Sequence, residues 1–381
     1  MRDDAPLPEA DALPGAPHPR FATRVFGHGA AEADLLDAVA SDRLHHAWLL
    51  TGPKGIGKAS FAWRAARFLL ATPASDPGPS LFGDAPAAAT SLDIDPDHPV
   101  ARRIAALSDP RLYLLRRPYD EKTSRFKQDI PVDAARGLKG FFTMSAVDGG
   151  RRVVIVDAAD EMNASAANAL LKVLEEPPAD TVILLVCHAP SKLLPTIRSR
   201  CRTLRMGPLS EPDLGDALAQ ALGAPLPDAE LASLNALAEG SVGQAITLRD
   251  AGGPEAYGSL LGLMDGLPRL DRPATLKLAE SAAARGAEAR FDLLLMLTET
   301  FLFRLARTGA TGHPPTGASP QEAALLQRLA PTAQAARGWA TAQATLLAKA
   351  RAGRAVNLDP TALLLDMFHG LQEVASAQGT A

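Results

Sequence analysis

From Phe21 to Met206, short apolar runs alternate with stretches whose apolar positions recur every three to four residues. This is the pattern of strands alternating with amphipathic helices, and it predicts a largely parallel sheet covered on both faces. The predicted strands are Ala47–Thr51, Arg111–Leu115, Arg152–Val156, Thr181–Cys187 and Arg202–Met206. Between the first two, Pro73–Pro99 is rich in Pro, Ala, Ser and Asp and reads as an irregular insertion. Upstream, Pro6, Pro8, Pro14, Pro17 and Pro19 interrupt any helical hydrogen-bond ladder, so residues 1–20 are expected to be a disordered leader. The strand pattern stops after Gly207-Pro208-Leu209. Glu211–Leu248 then reads as short helices broken at Gly223-Ala224-Pro225 and Gly240-Ser241. A Gly252-Gly253-Pro254 break leads to a longer helical region, in which Phe291–Leu305 is so apolar that it must be buried in a bundle or an interface. A Gly/Pro/Thr-rich stretch, Gly309–Pro320, joins further helices, and Asp359-Pro360 forms an N-cap and first-turn pair before Leu363-Leu364-Leu365. The fold class predicted is α/β: a P-loop domain with a parallel sheet over residues 21–208, a small helical domain over 209–252 and an all-helical C-terminal domain over 253–381.

Composition narrows the setting. At 381 residues the chain exceeds what one hydrophobic core usually organises. A formal charge of −4 means it does not coat nucleic acid by charge alone, so any DNA contact has to come from local basic clusters or from partners. The two cysteines, Cys187 and Cys201, offer neither a disulfide framework nor a four-ligand zinc site, and a reducing, cytoplasmic location is the simplest reading. No run approaches the roughly 18 apolar residues of a membrane span, the N-terminus lacks a signal-peptide core, and no membrane partner is expected.

Two motifs carry candidate chemistry. After the first strand, Gly52-Pro53-Lys54-Gly55-Ile56-Gly57-Lys58-Ala59 fills the glycines and lysine of a phosphate-binding loop but not its final hydroxyl, which holds Mg²⁺ on a bound nucleotide. Ser60 comes one residue late, about 100° round the helix from the place a metal ligand needs. The second motif is Val153-Val154-Ile155-Val156-Asp157, a buried strand ending in an acid. Asp157 suits the metal water shell opposite the loop, or equally a helix N-cap. Gly52, Gly55, Gly57, Lys58 and Asp157 are therefore the candidate nucleotide-binding residues. ATP or ADP can be held there without hydrolysis, no cofactor is certain, and no protein metal site is predicted.

The stretch Asn168-Ala169-Leu170-Leu171-Lys172-Val173-Leu174-Glu175-Glu176-Pro177-Pro178, with Pro195-Thr196-Ile197-Arg198-Ser199-Arg200-Cys201, closely resembles the clamp-loader branch of the AAA+ proteins. His45-His46-Ala47-Trp48-Leu49-Leu50-Thr51-Gly52 suits the bacterial DNA polymerase III clamp loader. The resemblance covers Phe21–Leu248 by motif and the remainder by helical layout. It implies an AAA+ domain, a helical lid and a helical collar. It further implies a ring-like pentamer with gamma or tau and delta subunits, which opens the beta sliding clamp and places it on primer-template DNA. In such assemblies the arginine of the serine-arginine-cysteine triplet reaches ATP on the neighbouring subunit, so Arg200 is the catalytic candidate, acting in trans. By the same resemblance an active member keeps a glutamate after Asp157, where this chain has Ala158, and Asp160 and Glu161 come too late to replace it. Active members also keep a polar sensor where His188 stands, and an arginine where Gly240-Ser241-Val242-Gly243 ends in Gly243. Many relatives carry a cysteine-rich zinc module after the first helix, but Leu69–Pro110 contains no cysteine and no zinc is expected.

The function this implies is a non-hydrolysing clamp-loader subunit in DNA replication, with neither ATPase nor polymerase activity of its own. The alternative is an active AAA+ motor, gamma-like or another remodeller; Ala59, Ala158 and Gly243 argue against it because a motor needs metal placement, water activation and phosphate contact together. A P-loop kinase explains neither the arginine triplet nor the helical C-terminal half. On spacing alone Arg198, Arg200 and Arg202 read as solvated charges, a reading the surrounding family motif reverses for Arg200, and His45, His46 and His188 read as structural. Lys122, Arg125 and Lys127, around Phe126, form a basic loop able to touch DNA phosphates or simply to remain solvated.

Overall fold

Five short apolar runs become the strands of one sheet, and the reason is visible in their burial. Leu49, Val154, Val156, Ile183 and Leu185 are all at or near zero exposure, as in strands covered on both faces. The computed structural model describes residues 7–72, 89–143, 150–282, 288–315, 317 and 319–379. The chain divides into two compact units, Met1–Leu226 with Gly240–Gln244, and Pro227–Glu239 with Ala245–Ala381.

In the first unit the order is α1 (Gly29–Ala40), β1 (Ala47–Thr51), α2 (Lys58–Ala71), α3 (Pro99–Ala105), β2 (Leu112–Arg116), β3 (Tyr119–Asp120), β4 (Arg125–Phe126) and α4 (Val132–Thr143). It continues with β5 (Arg152–Asp157), α5 (Ala164–Glu175), β6 (Thr181–Cys187), α6 (Pro195–Arg198), β7 (Arg202–Arg205) and α7 (Glu211–Leu222). The sheet order is β2-β5-β6-β1-β7, with every pairing parallel. Thr51 stands opposite both Cys187 and Arg205, and Arg116 opposite Asp157. The helices start on ordinary caps: Asn163 Oδ1 accepts from the Ala166 N–H at 2.9 Å, and the Ser210 hydroxyl accepts from the Asp213 N–H at 3.3 Å.

The α/β architecture with a parallel sheet expected from the sequence is the one observed, with local corrections. The second strand is shifted one residue, to Leu112–Arg116. The basic stretch around Phe126 is a small hairpin, β3 with β4, in which Tyr119 and Phe126 meet edge to face. Of the expected insertion 73–99, residues 73–88 lie outside the described residues, whereas the part that follows is packed. Leu92 is fully buried, and Asp93 pairs with Arg64 at 2.7 Å. Residues 7–20 also differ from the disordered leader their prolines suggest. His18 is 8% exposed and meets Trp63 edge to face, and Arg67 donates to the carbonyls of Arg20 and Ala22.

The second unit is helical: α8 (Asp228–Ala238), most of α9 (Val242–Asp250), α10 (Gly253–Met264), α11 (Arg272–Ser281), α12 (Glu288–Thr311), α13 (Pro320–Leu329), α14 (Ala333–Ala355) and α15 (Pro360–Ala377). The apolar stripe of α12 is buried as its pattern requires, through Phe291, Leu294, Leu297, Phe301, Leu302 and Leu305, although Phe303 remains 47% exposed. The linker expected over 309–320 is shorter, because α12 runs on to Thr311. Gly309 belongs to the helix, where an added Cβ would lie 2.9 Å from the Thr332 carbonyl oxygen. Asp359 caps α15 by accepting from the Ala362 N–H at 2.8 Å, with Pro360 in the first turn. Among the described residues no helix is long and apolar enough to cross a membrane.

Within this bundle lies a buried ion pair. Arg304 and Glu322 are 2% and 3% exposed, and the guanidinium donates to the carboxylate at 2.6 Å while the Tyr257 hydroxyl donates to the same oxygen at 2.6 Å. Removing one partner strands the other charge in a dry setting. Glu322→Ala should lower the unfolding free energy of this unit by about 3–5 kcal/mol, whereas replacing Arg304 and Glu322 together by Met and Leu should recover most of the loss. Urea denaturation of the three proteins checks this, and equal losses in the single and double variants would contradict it.

Candidate nucleotide site and arginine triplet

The loop between β1 and α2 depends on its glycines for geometry, whatever it binds. Gly52, Gly55 and Gly57 have φ of +150°, +80° and +99°, which L side chains rarely adopt. A Cβ on Gly52 would fall 2.1 Å from the Met206 carbonyl oxygen. The loop is also closed from within. Lys58 Nζ donates to the Gly52 carbonyl at 2.7 Å and to that of Pro53. His28 Nε2 bonds the Ile56 carbonyl at 2.7 Å, and the Ser241 hydroxyl donates to the Lys54 carbonyl at 2.9 Å. The Gly243 N–H donates to the Gly55 carbonyl at 2.9 Å, and an added Cβ at Gly243 would sit 3.0 Å from the Gly55 Cα. The residue standing where an arginine sensor is expected is thus packed, backbone to backbone, on the loop itself.

Around Lys58, which is 2% exposed, the charges shift one another. Burial pulls its ammonium down to about 8, opposed by Asp157 and Asp160. Burial, then Asp11 and Glu161, push the Asp157 carboxyl up to about 7, opposed by Lys58 and Arg116. His188 is lowered to about 4 by burial and by Lys58, so its ring is neutral at physiological pH. The cap reading of Asp157 does not hold: the 3₁₀ turn Ala159–Glu161 follows Ala158, and α5 is capped by Asn163. Asp160 is occupied elsewhere, accepting the N–H groups of His188 and Ala189 at 2.8 and 3.1 Å, while Glu161 pairs with Arg117 at 2.6 Å. Ala59 and Ala158 supply no metal ligand or water-activating group.

A cluster that the sequence did not reveal adjoins Asp157. Its register partner Arg116 pairs with Glu9 at 2.8 Å and with Asp11, and His18 Nε2 lies 2.9 and 3.1 Å from the same two carboxylates. Glu9, Asp11 and His18 bring potential metal-ligand atoms within 4.8 Å of one another. The guanidinium of Arg116 is already bonded to both carboxylates, so the cluster has its cation.

Residues 27–210 match the family model described as DNA polymerase III, delta subunit. The DNA polymerase III subunit delta' of Pseudomonas aeruginosa is 43% identical over 156 residues, 41% of each chain. That of Bacillus subtilis is 32% identical over 185 residues, 48% of this chain and 49% of its own. Residues 27–210, a little under half of the chain, are similar to the delta-prime subunits of DNA polymerase III. The chain spans less than half the length of these curated relatives in each match. A solved structure of a DNA polymerase III gamma subunit-related protein from Thermotoga maritima aligns at 19% identity and a TM-score of 0.36, over 87% of this chain and 95% of its own.

In this domain Arg200 follows the short helix α6, whose first residue is Pro195. Its contacts are with Glu175 and the Thr196 carbonyl, not with the loop. The structure therefore brings Gly52, Lys58 and Asp157 into one site and leaves Arg200 in another. Arg202 stacks over Trp48, with its guanidinium carbon 4.7 Å from the ring centroid. Besides the Glu9 cluster, sequence reasoning missed His28 and Ser241 as supports of the loop. The only hint was a helix N-terminal signal beside each, in Gly27-His28-Gly29 and Gly240-Ser241.

A raised carboxyl gives stability that is fully present below its unfolded pKa near 3.8 and is lost as pH rises through its folded value of about 7. The unit carrying Asp157 should therefore weaken between about pH 4 and 7, and Asp157→Asn should flatten that slope. Denaturation midpoints across this range test it, and an unchanged slope in the variant would sink the assignment.

Proposed function

We propose that this chain is a non-hydrolysing clamp-loader subunit of the DNA polymerase III holoenzyme, and that Arg200 completes the ATP site of a neighbouring gamma or tau subunit. The reading places it in a cytoplasmic hetero-oligomer with gamma/tau and delta, which loads the beta sliding clamp onto primed DNA. Residues 21–208 would form the AAA+ domain, 209–252 the lid and 253–381 the collar; the two compact units share out the stretch 209–252 between them.

One observation carries the reading: the phosphate loop satisfies its own cation, while the triplet arginine stays partly open to solvent. Lys58 is bonded to two loop carbonyls, whereas the Arg200 side chain keeps 36% of its surface accessible. A nucleotide fits such a loop only by exchanging the carbonyl bonds of Lys58 for phosphate oxygens. With Ala59 and Ala158 in place, Gly52, Gly55, Gly57 and Lys58 would hold ATP or ADP without assisting its cleavage. An arginine placed across a boundary acts instead by stabilising charge on the transferring phosphoryl group.

The isolated chain should show no ATP turnover. In a reconstituted clamp loader with its gamma/tau and delta partners, Arg200→Ala should slow DNA-stimulated hydrolysis at the affected site by roughly 10³-fold. Turnover by the isolated chain that Lys58→Ala abolishes, with a silent Arg200→Ala, would establish the motor reading instead.

A further inference from the structure

Arg200 is held in place by two partners of quite different kinds. Its Nη2 lies 2.9 Å from Glu175 Oε1, and its Nη1 donates to the Thr196 carbonyl at 2.9 Å. The carbonyl belongs to the turn that carries the arginine and cannot be removed by substitution. Glu175 comes from another element, the last residue of α5. An acid at a helix C-terminus opposes the partial negative charge of the last carbonyls, so helix stability alone does not favour it. The pair is also too exposed to stabilise the fold much: the two side chains are 36% and 47% accessible, and such surface pairs contribute little.

We infer that Glu175 is a positioning residue for Arg200, fixing the guanidinium in the orientation in which it meets the neighbouring subunit's phosphates. The inference rests on the in-trans role proposed above. A guanidinium has five N–H donors in a rigid fork. Glu175 and the Thr196 carbonyl each take one, from different terminal nitrogens, and the remaining donors stay available for oxygens of a transferring phosphoryl group. A free arginine would have to lose its side-chain rotamer freedom at the moment of reaction, and the two contacts remove that freedom beforehand. What Glu175 supplies is orientation rather than charge. Its negative charge would by itself weaken the attraction of Arg200 for phosphate.

This separates the proposal from a latch that merely sequesters the arginine, because the two predict opposite signs. In the reconstituted clamp loader with primed DNA, Glu175→Ala should lower kcat for ATP hydrolysis by ~3- to 10-fold, the scale of one immobilised rotamer-rich side chain, with KM for ATP unchanged. Glu175→Gln keeps an acceptor oxygen and should stay within about two-fold of the unsubstituted complex. Glu175→Ala should add no further loss when Arg200 is already alanine, since residues acting through one group are non-additive. The melting temperature of the isolated chain should not move with either Glu175 variant, which sets aside a purely structural cause. An unchanged or faster rate in Glu175→Ala, or the same loss with and without Arg200, would overturn the inference alone. A silent Arg200→Ala would instead remove the in-trans reading and this inference with it.

Discussion

Parallel pairing puts all the carboxyl ends of the five strands on one edge of the sheet, and the chemistry of the first unit follows from that constraint. Thr51 pairs with Cys187 and Arg116 with Asp157 along that edge, and the chain after each strand begins there. Polar groups are thereby crowded where the strands offer little water. Lys58 and His188 are pushed toward their neutral forms and so is Asp157, although one kind is a base and the other an acid. Desolvation is the first cause in each case, which is why the shifts converge on neutrality.

An edge built this way has to satisfy its own charges or leave them to a ligand. A loop evolved for phosphate transfer leaves its ammonium and N–H groups to the nucleotide and its metal. Here the groups turn inward. Lys58 reaches back to two carbonyls, Ser241 and the Gly243 N–H tie down Lys54 and Gly55, and Arg116 draws Glu9 and Asp11 beside Asp157. Hydrogen bonds involving a charged group contribute roughly 1.5–3 kcal/mol each, so an incoming phosphate has to replace comparable interactions before it gains anything. The missing hydroxyl at Ala59, a ligand for the nucleotide's metal, reduces what it gains in return.

The sequence was informative wherever the signal is local. Strand positions followed from continuous apolar runs, and the cap of α15 from Asp359-Pro360, because each depends on neighbours within a few residues. The phosphate loop was legible for the same reason, its glycines marking the positive φ values found at Gly52, Gly55 and Gly57. What was not legible depends on long-range pairing. Glu9 and Asp11 meet Arg116 more than a hundred residues away, a contact that no periodicity encodes, so prolines alone suggested a disordered leader. Ser241 and Gly243 reach the loop across nearly two hundred residues, and Glu175 reaches Arg200 across β6 and α6.

That the loop keeps its glycines and lysine while lacking its catalytic groups has a structural explanation that requires no ligand. The Gly52 backbone passes so close to Met206 that no side chain fits, and Gly55 and Gly243 touch backbone to backbone. The glycines thus join β1, the end of β7 and the first turn of α9, and replacing them would disturb packing before it disturbed binding. No such demand falls on position 59, 158 or 243 to carry a hydroxyl, a carboxylate or a guanidinium, since those groups serve only a bound triphosphate. The joint therefore persists whatever those three positions carry. A guanidinium in place of Lys58 would have kept its charge there, whereas the buried Lys58 has been drawn toward neutrality by the same edge that holds it.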